Sequence, residues 1–229
     1  MKTYMTAALL FISALAFAQS KQQRTVGDFT AVSSATGIQV ELTQGNENAV
    51  WVSASDEKYL PNIKTVVENG MLKIYYEHKD KTITKDKNWK MQVFVTFKSI
   101  NKIAGSSGSN IVAKNAITAS EFTLDMSSGA NFSGELKVST LKIDQSSGAM
   151  AKVTGSATDV KADVSSGGIF TGNDFSAVNC KASASSGGIL KIGVSKTLKA
   201  DASTGGLIHY KGDPEVEKST SLGGVVSKI

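Results

Sequence analysis

Residues 160–187 read VKADVSSGGIFTGNDFSAVNCKASASSG. Two glycine corners, Ser165-Ser166-Gly167 and Ser185-Ser186-Gly187, bracket a stretch in which apolar and polar residues alternate. Before the first corner, Val160, Ala162 and Val164 are separated by Lys161 and Asp163; after it, Phe170 and Gly172 are separated by Thr171. A period of two on both sides of a corner marks strands with one buried face. Working outward, the corner stands earlier at Ser106-Ser107-Gly108, Ser127-Ser128-Gly129 and Ser146-Ser147-Gly148. A variant, Ser203-Thr204-Gly205, and a worn copy, Ser221-Leu222-Gly223, follow. Glycines 108, 129, 148, 167, 187, 205 and 223 are therefore 21, 19, 19, 20, 18 and 18 residues apart. So short a unit cannot bury its own apolar face, but stacking each unit on the next does. The expected fold is all-β: a right-handed parallel β-helix, or solenoid, of about seven short rungs spaced ~4.8 Å apart. Each corner glycine is expected at positive φ, and the stacked serines are expected to bond to one another or to corner backbone.

Alignment on the first serine also orders the outward residues. Four positions before it stand Lys102, Lys142, Lys161, Lys181 and Lys199, with Thr123 as the exception. Two positions before it stand Asp125, Asp144, Asp163 and Asp201, with Ala104 and Ser183 as exceptions. In a β-helix these become a lysine column beside an aspartate column. Like charges at rung spacing repel by about 0.9 kcal/mol per pair in bulk water. The opposite charges two residues along each strand offset this, so the pattern reads first as a self-neutralising solvated lattice and second as a cation or anion site.

The first half is strand-rich without the repeat. Residues 38–42 (IQVEL) alternate, and residues 49–54 (AVWVSA) are read as their partner strand. Residues 55–60 (SDEKYL), before Pro61, suit a short helical turn capped by Ser55 or Asp56. Residues 63–67 and 72–76 flank Asn69-Gly70, a strong hairpin signal. Residues 79–90 (KDKTITKDKNWK) form a charged loop, and Met91, Val93, Val95 and Phe97 line one face of a strand leading into the repeats. Ser33-Ser34 with Gly37-Ile38 reads as an imperfect early corner. This half is expected to cap or begin the same stack, giving one domain over residues 29–229, with a non-repeating part at 29–100 and the rungs at 101–229.

Residues 1–20 (MKTYMTAALLFISALAFAQS) have one Lys, an apolar run and Ala16-Phe17-Ala18 before Gln19. This is the layout of a secretory signal peptide over residues 1–18, followed by a flexible segment over 19–28. The apolar run is too short to span a bilayer, which needs about 20 apolar residues, so no transmembrane segment is expected. The chain is expected to be exported to the periplasm, the outer surface or the medium. Its 229 residues carry 41% hydrophobic and 20% charged side chains, enough apolar material for a core. The net charge is +5, yet lysines are spread evenly, so a nucleic-acid partner is not expected.

Chemistry is sparse. One cysteine and two histidines leave no disulfide framework, no thiolate cluster and little for a His-rich centre, so no metal, cofactor or catalytic residue is assigned. Cys180 falls on the inward alternation and reads as a small core residue. The sequence predicts no partner for His78 or His209, and no base accompanies the corner serines at fixed spacing.

Phe29 to Val32, the run Gly37 to Gly45 (GIQVELTQG), Tyr59 to Thr65 (YLPNIKT) and Glu68 to Ile74 (ENGMLKI), followed by the Ser-Ser-Gly rungs, resemble the family described as "putative auto-transporter adhesin, head GIN domain". The resemblance covers about residues 29–229. It implies an all-β, β-helix-like, secreted or envelope protein and carries no catalytic residues. No run of membrane-barrel strands is read after the rungs, so export is expected to rest on the signal segment together with other machinery. The expected function is a non-catalytic, adhesin-like binding module for a polysaccharide or a cell-surface protein. The alternatives are a polysaccharide-active β-helix lyase or hydrolase, and a purely structural envelope protein. Candidate contacts are Trp89, Tyr59, Lys142, Lys161, Lys181 and Lys199, while core packing is expected for Trp51 and for one of Tyr75 or Tyr76.

Overall fold

The computed structural model describes residues 21–78 and 90–229. The signal-peptide reading, Trp89 and nearly all of the charged loop lie outside them. The strands in chain order are β1 (Lys21–Arg24), β2 (Ala31–Ser34), β3 (Gln39–Gln44), β4 (Ala49–Ala54), β5 (Ile63–Glu68), β6 (Met71–Tyr76), β7 (Met91–Phe97), β8 (Lys102–Gly105) and β9 (Asn110–Ala113). They continue as β10 (Ile117–Met126), β11 (Asn131–Gln145), β12 (Met150–Val164), β13 (Ile169–Ala184), β14 (Ile189–Ala202), β15 (Leu207–Lys211), β16 (Glu215–Thr220) and β17 (Val225–Lys228). From β8 onward each rung pairs in parallel with the next, and the whole is a β-solenoid.

The corners explain the serine-glycine repeat. Ser109 N–H donates to Ser106 C=O across the turn, at 3.1 Å. Ser107 and Gly108, the two central residues, have φ of 48° and 71°. Positive φ at both centres is a type I′ turn, which selects Gly at the second position. The same pair recurs at each later serine-glycine corner through Leu222-Gly223, and at Thr36-Gly37 in the first half. The expectation of a left-handed glycine therefore holds, and the residue before it shares the conformation. Neighbouring corners are joined backbone to backbone: Gly108 N–H donates to Ser128 C=O at 3.0 Å, and Gly129 N–H to Ser147 C=O at 3.0 Å. Among the described residues the hydroxyls of Ser107, Ser128, Ser147, Ser166 and Ser186 make no hydrogen bond, so the expected serine ladder is replaced by a main-chain ladder.

Inside, apolar columns run the length of the stack, and side-chain size is complementary across each rung. The column Ile143, Ala162, Ala182 and Ala200 narrows, while the facing column Ala151, Phe170, Leu190 and Ile208 widens to meet it. Size complementarity of this kind is what a close-packed interior requires.

The first half contributes rungs out of chain order. β2 is flanked by β6 and β8, and β3 by β7 and β9, so the β6–β7 rung lies outside the earlier β2–β3 rung. Val50 of β4 pairs with Val95 and Val52 with Val93, antiparallel to β7 rather than to β3. Both edges of β3 are occupied by parallel neighbours, which corrects the expected partner of residues 49–54. β1 adds to β4, and β5 folds onto β6 through Asn69-Gly70. The short turn appears as a 3₁₀ segment, Glu57–Asn62, capped by Asp56, whose carboxylate accepts from Lys58 N–H at 3.0 Å.

Candidate binding faces

The outward columns flanking the corner row are the candidate site. On the side before the corner, Lys142, Lys161, Lys181 and Lys199 lie in one register row, each opposite the next. Thr123 interrupts the row above Lys142, and Glu217 ends it below Lys199. Asp125, Asp144 and Asp163 stack beside them, followed by Ser183 and Asp201. Strand alternation places both columns outward because the residues between them point into the core.

The charges are partly matched in pairs. Lys142 Nζ lies 2.7 Å from Asp144 Oδ2, and Lys199 Nζ lies 2.7 Å from Glu217 Oε1. The hydrogen bond it donates to Asp144 holds the Lys142 ammonium above its ordinary pKa, with further help from the charges of Asp163 and Asp125. The bond that Lys199 donates to Glu217 does the same for Lys199. Among the described residues, Lys161 and Lys181 have no carboxylate within ion-pair distance.

A third column was not legible from the repeat as aligned. Thr140, Asp159, Asn179, Thr197 and Glu215 stack two residues before the lysines. Asn179 Nδ2 donates to Asp159 Oδ1 at 2.9 Å, and Thr197 Oγ1 donates to Asn179 Oδ1 at 2.8 Å. Extending the alignment one outward position further would have exposed it. Together the columns bound a shallow groove of about 510 Å³ lined by Asp159, Asn179, Lys181, Thr197 and Lys199, with Val160 and Cys180 among its walls. Cys180 is 4% exposed, and burial pushes its thiol from 9.0 up to about 12. It is a poor nucleophile near neutral pH.

The aromatic candidates separate. Tyr59 is 2% exposed and packs in the core, which removes it as a surface contact. Its place at the centre of the 3₁₀ segment turns the ring inward. Tyr76 is buried and Tyr75 partly exposed, matching the expectation for that pair. Trp51, expected in the core, is 38% exposed. It lies opposite Phe94 and Gln23 on the outer side of the antiparallel cap, and Lys21 Nζ sits 3.9 Å from the centre of the Phe94 ring. The reading of Trp51 failed because β4 belongs to the cap, where its alternate residues meet water.

Among the described residues no helix is long and apolar enough to cross a membrane, and no group of three or more His, Cys, Asp or Glu is placed to hold a metal ion.

The model of the family described as "Putative auto-transporter adhesin, head GIN domain" matches residues 28–214. No curated protein matches the chain. Solved structures that share its fold include the following three. A putative adhesin from Bacteroides fragilis is 19% identical with a TM-score of 0.79, over 92% of this chain and 96% of that one. A putative lipid binding protein from Parabacteroides distasonis is 20% identical with a TM-score of 0.70, over 92% and 96%. A putative adhesin from Parabacteroides merdae is 20% identical with a TM-score of 0.61, over 92% and 95%.

Proposed function

The chain belongs to the putative auto-transporter adhesin, head GIN domain family, and we propose that it is an exported, non-catalytic, adhesin-like module that holds a polysaccharide along its lysine face. The observation that carries this reading is the register row Lys142, Lys161, Lys181 and Lys199, with donors and acceptors repeated at the same step beside it. A straight, rigid row suits a ligand that itself repeats. Positive and negative columns lie side by side, so the face is no strong trap for a polyanion. What it repeats is a set of hydrogen-bonding groups, the chemistry that recognises hydroxyls. The groove is shallow and the rungs carry no long walls, so a substrate would lie on the surface rather than be enclosed around a reacting bond.

The test is a polysaccharide panel probed with the wild-type chain and with Lys161→Ala/Lys181→Ala. Binding that the double variant weakens by about tenfold or more supports the reading. Binding to no member of the panel, or equal binding by both proteins, contradicts it. Release of new reducing ends or unsaturated products would transfer the face to a hydrolase or lyase. Protease treatment of intact producing cells reports whether the chain is exposed at the surface or protected in the periplasm.

A further inference from the structure

The side after the corner carries a different pattern. Its first outward column reads Gln92, Gln39, Asn110 and Asn131 in the first four rungs, then Met150, Ile169, Ile189, Leu207 and Val225 in the last five. The switch from amides to aliphatics occurs in one step, at the pair Asn131 and Met150. The aliphatics point outward because their chain neighbours Phe170, Leu190 and Ile208 are buried. Met150 is 49% and Val225 44% exposed, while the three between them shield one another. At rung spacing the stripe runs for ~19 Å. Leu222, which replaces the corner serine three residues before Val225, is 80% exposed. A shallow groove of about 450 Å³ follows the end of the stripe at Met150, past Asn131, Lys152 and Ile169.

The column beside the stripe is basic. Through the same five rungs it reads Lys152, Thr171, Lys191, His209 and Ser227, with no carboxylate in either column. Among the described residues neither Lys152 nor Lys191 has a carboxylate within ion-pair distance. On the lysine face, by contrast, an aspartate column stands beside the bases. The His209 imidazole is bonded to Ser227 Oγ at 2.9 Å.

From this juxtaposition we propose that the aliphatic stripe and its basic margin form a docking face for an anionic lipid surface. The face is apolar along its middle and cationic along one edge, which is complementary to acyl chains bordered by negative headgroups. Except for the last strand, β17, its strands are paired with neighbours on both sides, so a peptide laid along the stripe gains no main-chain bonds there. A second copy of this chain would bring its own lysines and no carboxylate to balance them. The lipid surface supplies both missing components, the apolar contact and the negative charge. This face is separate from the lysine row, so either assignment stands or falls without the other.

The test is flotation of the full chain with phosphatidylcholine vesicles, with and without phosphatidylglycerol. Wild-type protein should float with the anionic vesicles only, and added salt should release it. Lys152→Glu/Lys191→Glu should lose at least about tenfold in partitioning, since each surface lysine contributes roughly fivefold. Ile169→Thr/Ile189→Thr keeps strand-forming, β-branched residues and should weaken binding while the circular dichroism stays unchanged. Lys161→Glu/Lys181→Glu, on the other face, should bind as the wild type does. No flotation by the wild type, equal flotation with neutral vesicles, or full retention by Lys152→Glu/Lys191→Glu would overturn the proposal. So would a dimer in sedimentation velocity that the isoleucine variant abolishes, because it would assign the stripe to a second copy.

Discussion

Gly206 closes a corner where a side chain has no room. A Cβ built there would lie 2.2 Å from the carbonyl oxygen and 2.4 Å from the carbonyl carbon of Ala184 in the preceding rung. The equivalent position of an earlier rung is Gly168, where the nearest atom is Ser165 O at 3.1 Å, and two rungs nearer the start hold Ala130 and Ala149 there. Gly206→Ala should therefore cost about 2–3 kcal/mol, and Gly168→Ala less than about 1 kcal/mol, in urea denaturation midpoints compared at a common slope. Equal losses would mean that the rungs do not differ in their closest backbone approach. Cys180 supplies a second test at this scale. The unfolded thiol ionises near 9.0, whereas the buried one keeps its proton up to about 12. Between these values the unfolded state binds fewer protons, so this contribution to stability is complete below about pH 9 and is lost as pH rises toward about 12. The stability gap between wild type and Cys180→Ala should narrow from about pH 8 to about pH 10.5. In native protein at neutral pH the thiol should resist iodoacetamide and react only after denaturation. Prompt alkylation of the folded chain would contradict its burial.

At the scale of elements, the register was legible wherever the repeat was. Counting back from each first serine places Lys161 opposite Lys181 and Asp144 opposite Asp163, as the strands do. The Asn69-Gly70 hairpin and the 3₁₀ segment were also local signals, read from turn and cap chemistry. The place of β6–β7 outside β2–β3 was not legible, because alternation fixes which side of a strand is buried and says nothing of which neighbour it chooses. The same gap misplaced Trp51. The aliphatic stripe was visible in the letters, since Met150, Ile169, Ile189, Leu207 and Val225 hold one alignment position. It goes unnoticed when only inward residues are followed. The last strand, β17, covers the outer edge of β15, pairing Leu207 with Val225 and Ile208 with Val226. Removal of residues 221–229 uncovers that edge, and an open edge invites pairing with another chain. The truncated chain should scatter light and elute as larger species, whereas a truncated chain that stays monomeric would show that β17 protects nothing.

At the scale of the molecule, every functional statement rests on rungs that stack in register. The stack turns a loose sequence repeat into straight columns, and the columns give each face its chemistry: partly matched charges with hydrogen-bonding groups before the corner, aliphatics with unmatched bases after it. In a stack of this kind each rung contacts chiefly its neighbours, so stability accumulates rung by rung and the end rungs matter out of proportion to their size. The antiparallel strands β4, β1 and β5 close one end of the stack in this way. The most direct measurement is a pair of spin labels at Lys102→Cys and Lys199→Cys in a Cys180→Ala background. These positions share one column, through Thr123, Lys142, Lys161 and Lys181, and are five rungs apart. Pulsed dipolar spectroscopy should give one narrow distribution corresponding to a backbone separation of about 24 Å, five steps of ~4.8 Å, after allowance for the label arms. A broad distribution, or a mean that no whole number of rung steps reproduces, would contradict the stacked register and with it both binding faces.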